Sequence, residues 1–334
     1  MSRKKILNYI LLVVILGLAV NFLLPKLATI EKSLLVLKSM NWFFVILAFT
    51  AQAFSYLSTG YLIKAILKTY NREISVYKSA VIYLCSTSIG LVAGGILGSS
   101  AAIYKWLKKE DMTKNSSTII SVIPSMLNTG IIMVITTLGV VYLIFFHDIL
   151  SNTQLIEYGI ILLLLVTAAV IIFLALRHKE TVIKIITGVE KFIKNIFHKP
   201  FSPEKTIEYI DNIYTDINSL NKGRFKKPLM GGISTVIFDI LTLYFMFLAA
   251  GYNISLGVLL SGYGLPLLLG KMAFIIPGGI GIVETTMLGL YTGLGIPSAT
   301  CAVVILGYRL ISFWIPTISG FAGIPYLDRR TDIN

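Results

Sequence analysis

Long apolar runs alternate with short polar breaks along almost the whole chain. Six runs, at 6–24, 42–63, 119–146, 155–176, 229–250 and 298–324, are each close to or above the length that a helix needs to cross a bilayer, about 20 residues. They do not alternate with period two, which excludes the strands of a β-barrel. The pattern predicts an all-α fold, a polytopic helical integral membrane protein. The first run follows Arg3, Lys4 and Lys5 and has no small-x-small cleavage site after it. It reads as an uncleaved helix rather than a signal peptide.

Two stretches break this pattern in the same way. "AGGILGSS" (93–100) aligns without a gap with "PGGIGIVE" (277–284), at an offset of 184 residues. Each Gly-Gly ends one apolar segment and starts a shorter one. A second turn follows, "EDMT" in the first copy and "LGIP" in the second, and then a long helix. The spacing predicts two repeats, at about 41–130 and 225–314, each reading helix, break, short helix, turn, long helix. A re-entrant hairpin and a full double crossing both return the chain to the side it came from, so either fits each break.

Charge gives the repeats their orientation. The chain is 56% hydrophobic and only 13% charged, with a net charge of +13. So few charges are foreign to a soluble domain. With the N-terminus inside, all Lys and Arg except Lys26, Lys32, Lys38, Lys271 and Arg309 fall in cytoplasmic segments. That is the positive-inside bias, and it places both termini in the cytoplasm and the chain in the cell membrane. The basic excess therefore faces anionic lipid, and no nucleic-acid partner is expected. The first copy then starts outside and the second inside, so the repeats are of opposite topology, a plan that recurs in transporters. Between them, 177–227 reads as an amphipathic connector on the inner leaflet. Val182, Ile185, Ile186, Val189, Phe192, Ile193 and Ile196 are interleaved with Lys184, Lys191 and Lys194, the pattern of a basic interfacial helix. A second helix is predicted from Ser202 as N-cap and Pro203 at the first turn. The whole chain, 1–334, forms one transmembrane domain.

Four ionisable residues fall inside the apolar pattern at one depth. Lys271 and Glu284 flank Gly278 at nearly equal distances, Glu284 and Arg309 flank the turn at Ile296 and Pro297, and Asp239 lies midway along its own run. A lone charge at the bilayer centre costs about 2.5–3.5 kcal/mol even on the lenient scale. These side chains are therefore expected to face inward and pair, Glu284 with Arg309 through two bonds and Asp239 with Lys271. The first copy carries hydroxyls at the equivalent positions, Ser55, Thr87, Ser100 and Ser125. A helix that starts within the membrane aims unpaired N–H groups and a positive dipole end at its surroundings. Gly278 and Gly279 would let an anionic head group approach there, with Arg309 as the fixed cation opposite.

Other chemistry is missing. His147, His178 and His198 are scattered, Cys85 and Cys301 lie in apolar segments, and neither a phosphate-binding G-x-x-x-x-G-K-[ST] loop nor a nucleophile elbow is present. No metal, disulfide, cofactor or ATP-driven step is expected.

"PGGIGIVET", "LGIP" and "ILGYRLISFWIP" resemble the membrane region of the lysylphosphatidylglycerol synthase family, the flippase part of the multiple peptide resistance factor. Stand-alone members exist. The resemblance covers most of the chain, and PGG-x-G-x-x-E with the later YR is its specific part. It implies functional roles for Gly278, Gly279, Gly281, Glu284, Tyr308 and Arg309, and a part in resistance to antimicrobial peptides. Full-length members add a soluble aminoacyl-transferase domain, which is not expected in this chain. The first copy departs from the family pattern, which commonly has Glu and Arg after its Gly-Gly; Ser99, Ser100 and Ala101 stand here. The expected function is translocation of an anionic or aminoacylated phospholipid, such as lysyl-phosphatidylglycerol, between leaflets. The expected substrate-binding set is Asp239, Lys271, Gly278, Gly279, Gly281, Glu284, Tyr308, Arg309, Ser100 and Ser125. The alternatives are a phosphatidylglycerol lysyltransferase-family enzyme, a membrane transferase using a lipid-linked donor, and a membrane partner of a separate lipid-modifying synthase.

Overall fold

The structure is a computed structural model that describes residues 30–69, 71–93, 95–108, 114–146, 152–196, 203–204, 206–208, 210–211, 214–215, 225–272 and 277–329. The first apolar run, the "EDMT" turn and Ser202 lie outside the described residues. Every regular element among the described residues is helical. In chain order these are α1 (Ile30–Lys38), α2 (Trp42–Thr69), α3 (Val76–Val92), α4 (Ile96–Lys108), α5 (Lys114–Phe146), α6 (Asn152–Arg177), α7 (Lys179–Ile196), α8 (Lys226–Ala249), α9 (Leu256–Met272), α10 (Ile282–Gly293), α11 (Ser298–Arg309) and α12 (Ile315–Arg329). A single 3₁₀ turn, Pro277–Gly279, precedes α10, and a π-helical segment, Leu310–Trp314, joins α11 to α12.

Five helices are long and apolar enough to span a membrane: Trp42–Thr69, Ser121–Phe145, Asn152–Arg177, Lys226–Ala249 and Ser298–Asp328. They coincide with the apolar runs read from the sequence. α3 and α9, at 17 residues each, are shorter, about 26 Å at 1.5 Å per residue. Local chemistry sets their ends. The Asn41 side chain accepts from Phe43 N–H at 3.0 Å and starts α2. Ser75 accepts from Lys78 N–H at 3.1 Å and starts α3.

Packing divides these helices into an inner bundle and a lipid-facing rim. In α6 the mean hydropathy reaches 3.1, and Ile156, Ile160, Leu163, Leu164 and Ile171 are all exposed. Apolar exposure over that length places α6 against lipid tails. α7 bears Ile185, Ile186, Val189 and Phe192 on its surface among lysines. At the centre, α2 and α8 lie directly against each other. A Cβ on Gly231 would come within 2.9 Å of the Leu62 backbone. The close approach lets hydroxyls bond across the seam, Ser55 Oγ to the Thr235 carbonyl at 3.0 Å and Thr59 with Thr235 at 3.1 Å. Small and hydroxylic residues are the usual contact surface between helices in lipid, where apolar burial supplies no driving force.

Candidate functional site

The pairing of Glu284 with Arg309 is present, in a different form from the one expected. Arg309 Nε donates to Glu284 Oε1 at 2.5 Å. The second carboxylate oxygen accepts from Gly281 N–H at 2.7 Å, so the grip is through one bond rather than two. Arg309 turns its remaining donors elsewhere: Nη2 reaches the Gly278 carbonyl at 3.3 Å, and the guanidinium lies 4.2 Å from the centre of the Phe313 ring. Glu284 and Arg309 are 1% and 4% exposed, so the pair is sealed inside the protein. Backbone geometry makes room for it. Gly281 has φ of +86° and caps α10, with Glu284 at the third helical position closing back on its N–H. A carboxylate there also sits on the positive end of the helix.

The second expected pair does not form. Asp239 Oδ2 accepts from Tyr263 at 2.8 Å and from Tyr308 at 3.1 Å. Lys271 Nζ donates instead to Asn128 Oδ1 at 2.8 Å and Thr129 Oγ1 at 3.0 Å. Equal depth along the membrane is only one coordinate. The azimuth of each helix turns Asp239 toward α9 and α11, and Lys271 toward α5.

The two sides of Lys271 differ. On one is the sealed core; on the other is a cavity of about 290 Å³. Both glycine breaks line it, Gly95 from the first and Gly278 with Gly279 from the second. At the second break the backbone runs close to its neighbour: Gly279 has φ of +63°, and a Cβ there would lie 2.7 Å from Gly270 Cα. Lys271, Ser100 and Ser125 from the expected set also line the cavity. Asp239, Gly281, Glu284, Tyr308 and Arg309 do not. Arg309 stands one layer behind, where its contacts with Gly278 and Phe313 hold two pieces of the wall. Arg309 therefore stands at the start of α10, as expected, but outside the cavity wall. The wall holds Lys271 instead, and its hydrogen-bond partners are neutral.

The rest of the polar wall comes from Tyr56, Tyr83, Thr87, Ser99, Ser121 and Asn128; Thr87 is one of the hydroxyls at the equivalent positions of the first copy, and the others were not expected as site residues. A signal for them is present in the sequence. Ser121, Pro124, Ser125 and Asn128 recur at helical spacing within an otherwise apolar run, as do Tyr83, Thr87 and Gly90, and each set forms one polar face. Pro316 contributes indirectly. It has no N–H for the Ser312 carbonyl one turn earlier, and the Tyr56 hydroxyl donates to that carbonyl at 3.3 Å. The π-helical segment lies at this point. Among the described residues, no three His, Cys, Asp or Glu side chains cluster as metal ligands.

A bundle of apolar helices with a polar cavity between two glycine breaks defines a multi-pass membrane protein. Residues 9–320 match the family described as "Lysylphosphatidylglycerol synthase TM region", and the chain belongs to that family. It is similar to the UPF0104 membrane protein MJ1595 of Methanocaldococcus jannaschii, 26% identical over 99% of this chain and 98% of the relative. The UPF0104 membrane protein PH1989 of Pyrococcus horikoshii is also 26% identical, over 96% of this chain and 97% of its own. A UPF0104 membrane protein of Methanothermobacter thermautotrophicus is 38% identical over a shorter stretch, 27% of this chain and 26% of the relative.

Proposed function

We propose that this protein is a phospholipid translocase, in which the head group passes through the cavity beside Lys271 while the acyl tails stay in lipid. One observation carries the proposal: a cavity lined by both glycine breaks holds Lys271 among hydroxyl and amide side chains. Polar groups and non-helical backbone are tolerated at membrane depth only where they line a cavity or are buried in protein. The family's description names lysylphosphatidylglycerol, which supports a phospholipid as the molecule handled.

The reading includes two inverted repeats with re-entrant helices. Helix starts at Trp42, Val76, Ile96 and Lys114 recur at Lys226, Leu256, Ile282 and Ser298, all near the sequence offset of 184. Packing is exchanged between the copies in a matched way. Thr136 of α5 lies against Gly264 of α9, and Gly320 of α12 lies against Leu84 of α3. Helices α3 and α9, each shorter than a full crossing, then enter from opposite faces, and their breaks meet near the midplane. With the basic segments inside, single cysteines at Ser151 and Asn253 are expected to react with an impermeant reagent from outside, and one at Lys191 only from inside. External labelling at 191 would reverse the orientation.

The activity itself is checked in liposomes. The purified chain is expected to speed exchange of head-group-labelled phosphatidylglycerol or its lysyl ester between leaflets without ATP. Direction in the cell then comes from synthesis on one side or from an ion gradient. If no lipid moves and the chain instead makes lysylphosphatidylglycerol from charged tRNA, the enzyme reading replaces this one.

A further inference from the structure

We infer that the cavity selects an anionic phosphodiester head group bearing hydroxyls, and discriminates against the same head group once it carries an aminoacyl ammonium. The inference rests on the translocase reading of this cavity and narrows its substrate.

Charge is the main argument. Lys271 is the one charged residue among the described lining residues, and both of its partners, Asn128 and Thr129, are neutral. Its ammonium has three donors and two are used, which leaves a donor and a full positive charge for a phosphate oxygen. The remaining polar wall is the Asn128 amide, whose oxygen already accepts from Lys271, and hydroxyls from Thr87, Ser99, Ser100, Ser121, Ser125, Thr317 and the tyrosines. Hydroxyls suit a polyol, since each can donate or accept. The acids nearest the wall are already engaged. Asp239 Oδ2 takes two tyrosine hydroxyls, and both oxygens of Glu284 are held by Arg309 and Gly281. A lysyl ammonium entering here would meet Lys271 as a like charge and find no carboxylate among the described lining residues. Leaving a desolvated cation unpaired is among the largest penalties a site can impose, and building in such a clash is how binding sites reject a near relative.

Comparison of the copies adds to this. Glu284 and Arg309 fill the interior of the second copy, whereas the equivalent Ser100 and Ser125 face the cavity. The missing ion pair of the first copy leaves both the space and the absence of a carboxylate.

The test is competitive binding. Short-chain phosphatidylglycerol and its lysyl ester are titrated against the purified full chain in nanodiscs of zwitterionic lipid, read by native mass spectrometry. Phosphatidylglycerol is expected to bind at least tenfold more tightly. Lys271→Gln should bring the ratio near one, and Lys271→Arg should keep it. Ser125→Asp, one turn before Asn128 on α5, should shift the ratio at least tenfold toward the lysyl ester, and it decides the matter if Lys271→Gln fails to fold. Equal or tighter binding of the lysyl ester by wild type, no binding of either lipid, or a ratio unmoved by either folded variant overturns the inference. Exchange measured on the same preparations separates the two readings. Selective binding without exchange overturns the translocase and keeps the selectivity. Exchange with no binding preference overturns the selectivity alone.

Discussion

Lys271→Gln is expected to slow lipid exchange by roughly ten- to a hundredfold while leaving the helical bundle intact. A hydrogen bond to a charged group is worth about 1.5–3 kcal/mol, and each 1.4 kcal/mol is a factor of ten. Lys271 is the cationic group among the described wall residues, so its charge on a phosphate is removed by a neutral, shorter amide. The fold has little to lose. Asn128 and Thr129 are neutral and can bond to a glutamine, and no ion pair is broken. Exchange is measured by dithionite quenching of a labelled lipid in proteoliposomes, beside the thermal midpoint. Unchanged exchange by a folded Lys271→Gln protein would move the path away from this cavity.

Glu284→Gln is expected to act on stability first. It leaves Arg309 as a cation, 4% exposed, without its carboxylate partner, beside the Gly278 carbonyl, the Phe313 ring and the charge of the tyrosine-bound Asp239. Breaking one side of a buried pair costs about 3–5 kcal/mol, enough to remove much of a membrane protein's resistance to detergent and heat. The double change Glu284→Gln with Arg309→Gln should be less damaging than the sum of the single changes, because no charge is then left unpaired. Neither side chain lines the cavity, so the double variant is expected to recover exchange along with its fold. A stable double variant that moves no lipid would put the pair in the transport path itself. Thermal unfolding followed by size-exclusion chromatography, beside the exchange assay, distinguishes these outcomes.

The contrast between Glu284 and Lys271 shows where charge counting along the helices succeeds. Four ionisable residues at one depth were legible because desolvation makes each so costly that it must have a purpose. Glu284 and Arg309 could be matched because the turn at Ile296 and Pro297 fixes their levels on adjacent antiparallel helices. Asp239 and Lys271 could not, because their helices α8 and α9 present those side chains in different directions. A helix gives depth at 1.5 Å per residue, but its rotation about its own axis is settled by packing. The neutral partners of Lys271 come from α5, more than a hundred residues away in the chain.

What the sequence determined by itself is what depends on local or one-dimensional physics. Apolar length specified the spans, because a bilayer has a fixed thickness. Paired glycines marked the breaks, because glycine adopts at no steric cost the positive φ found at Gly278, Gly279 and Gly281. What the tertiary structure decided is which polar groups share a space. It set Arg309 behind the wall and Lys271 in it, and it gathered Ser100, Ser125 and Asn128 with the two breaks around one cavity. That assignment depends on helix rotation and on contacts between residues far apart in the chain, and no local pattern encodes either.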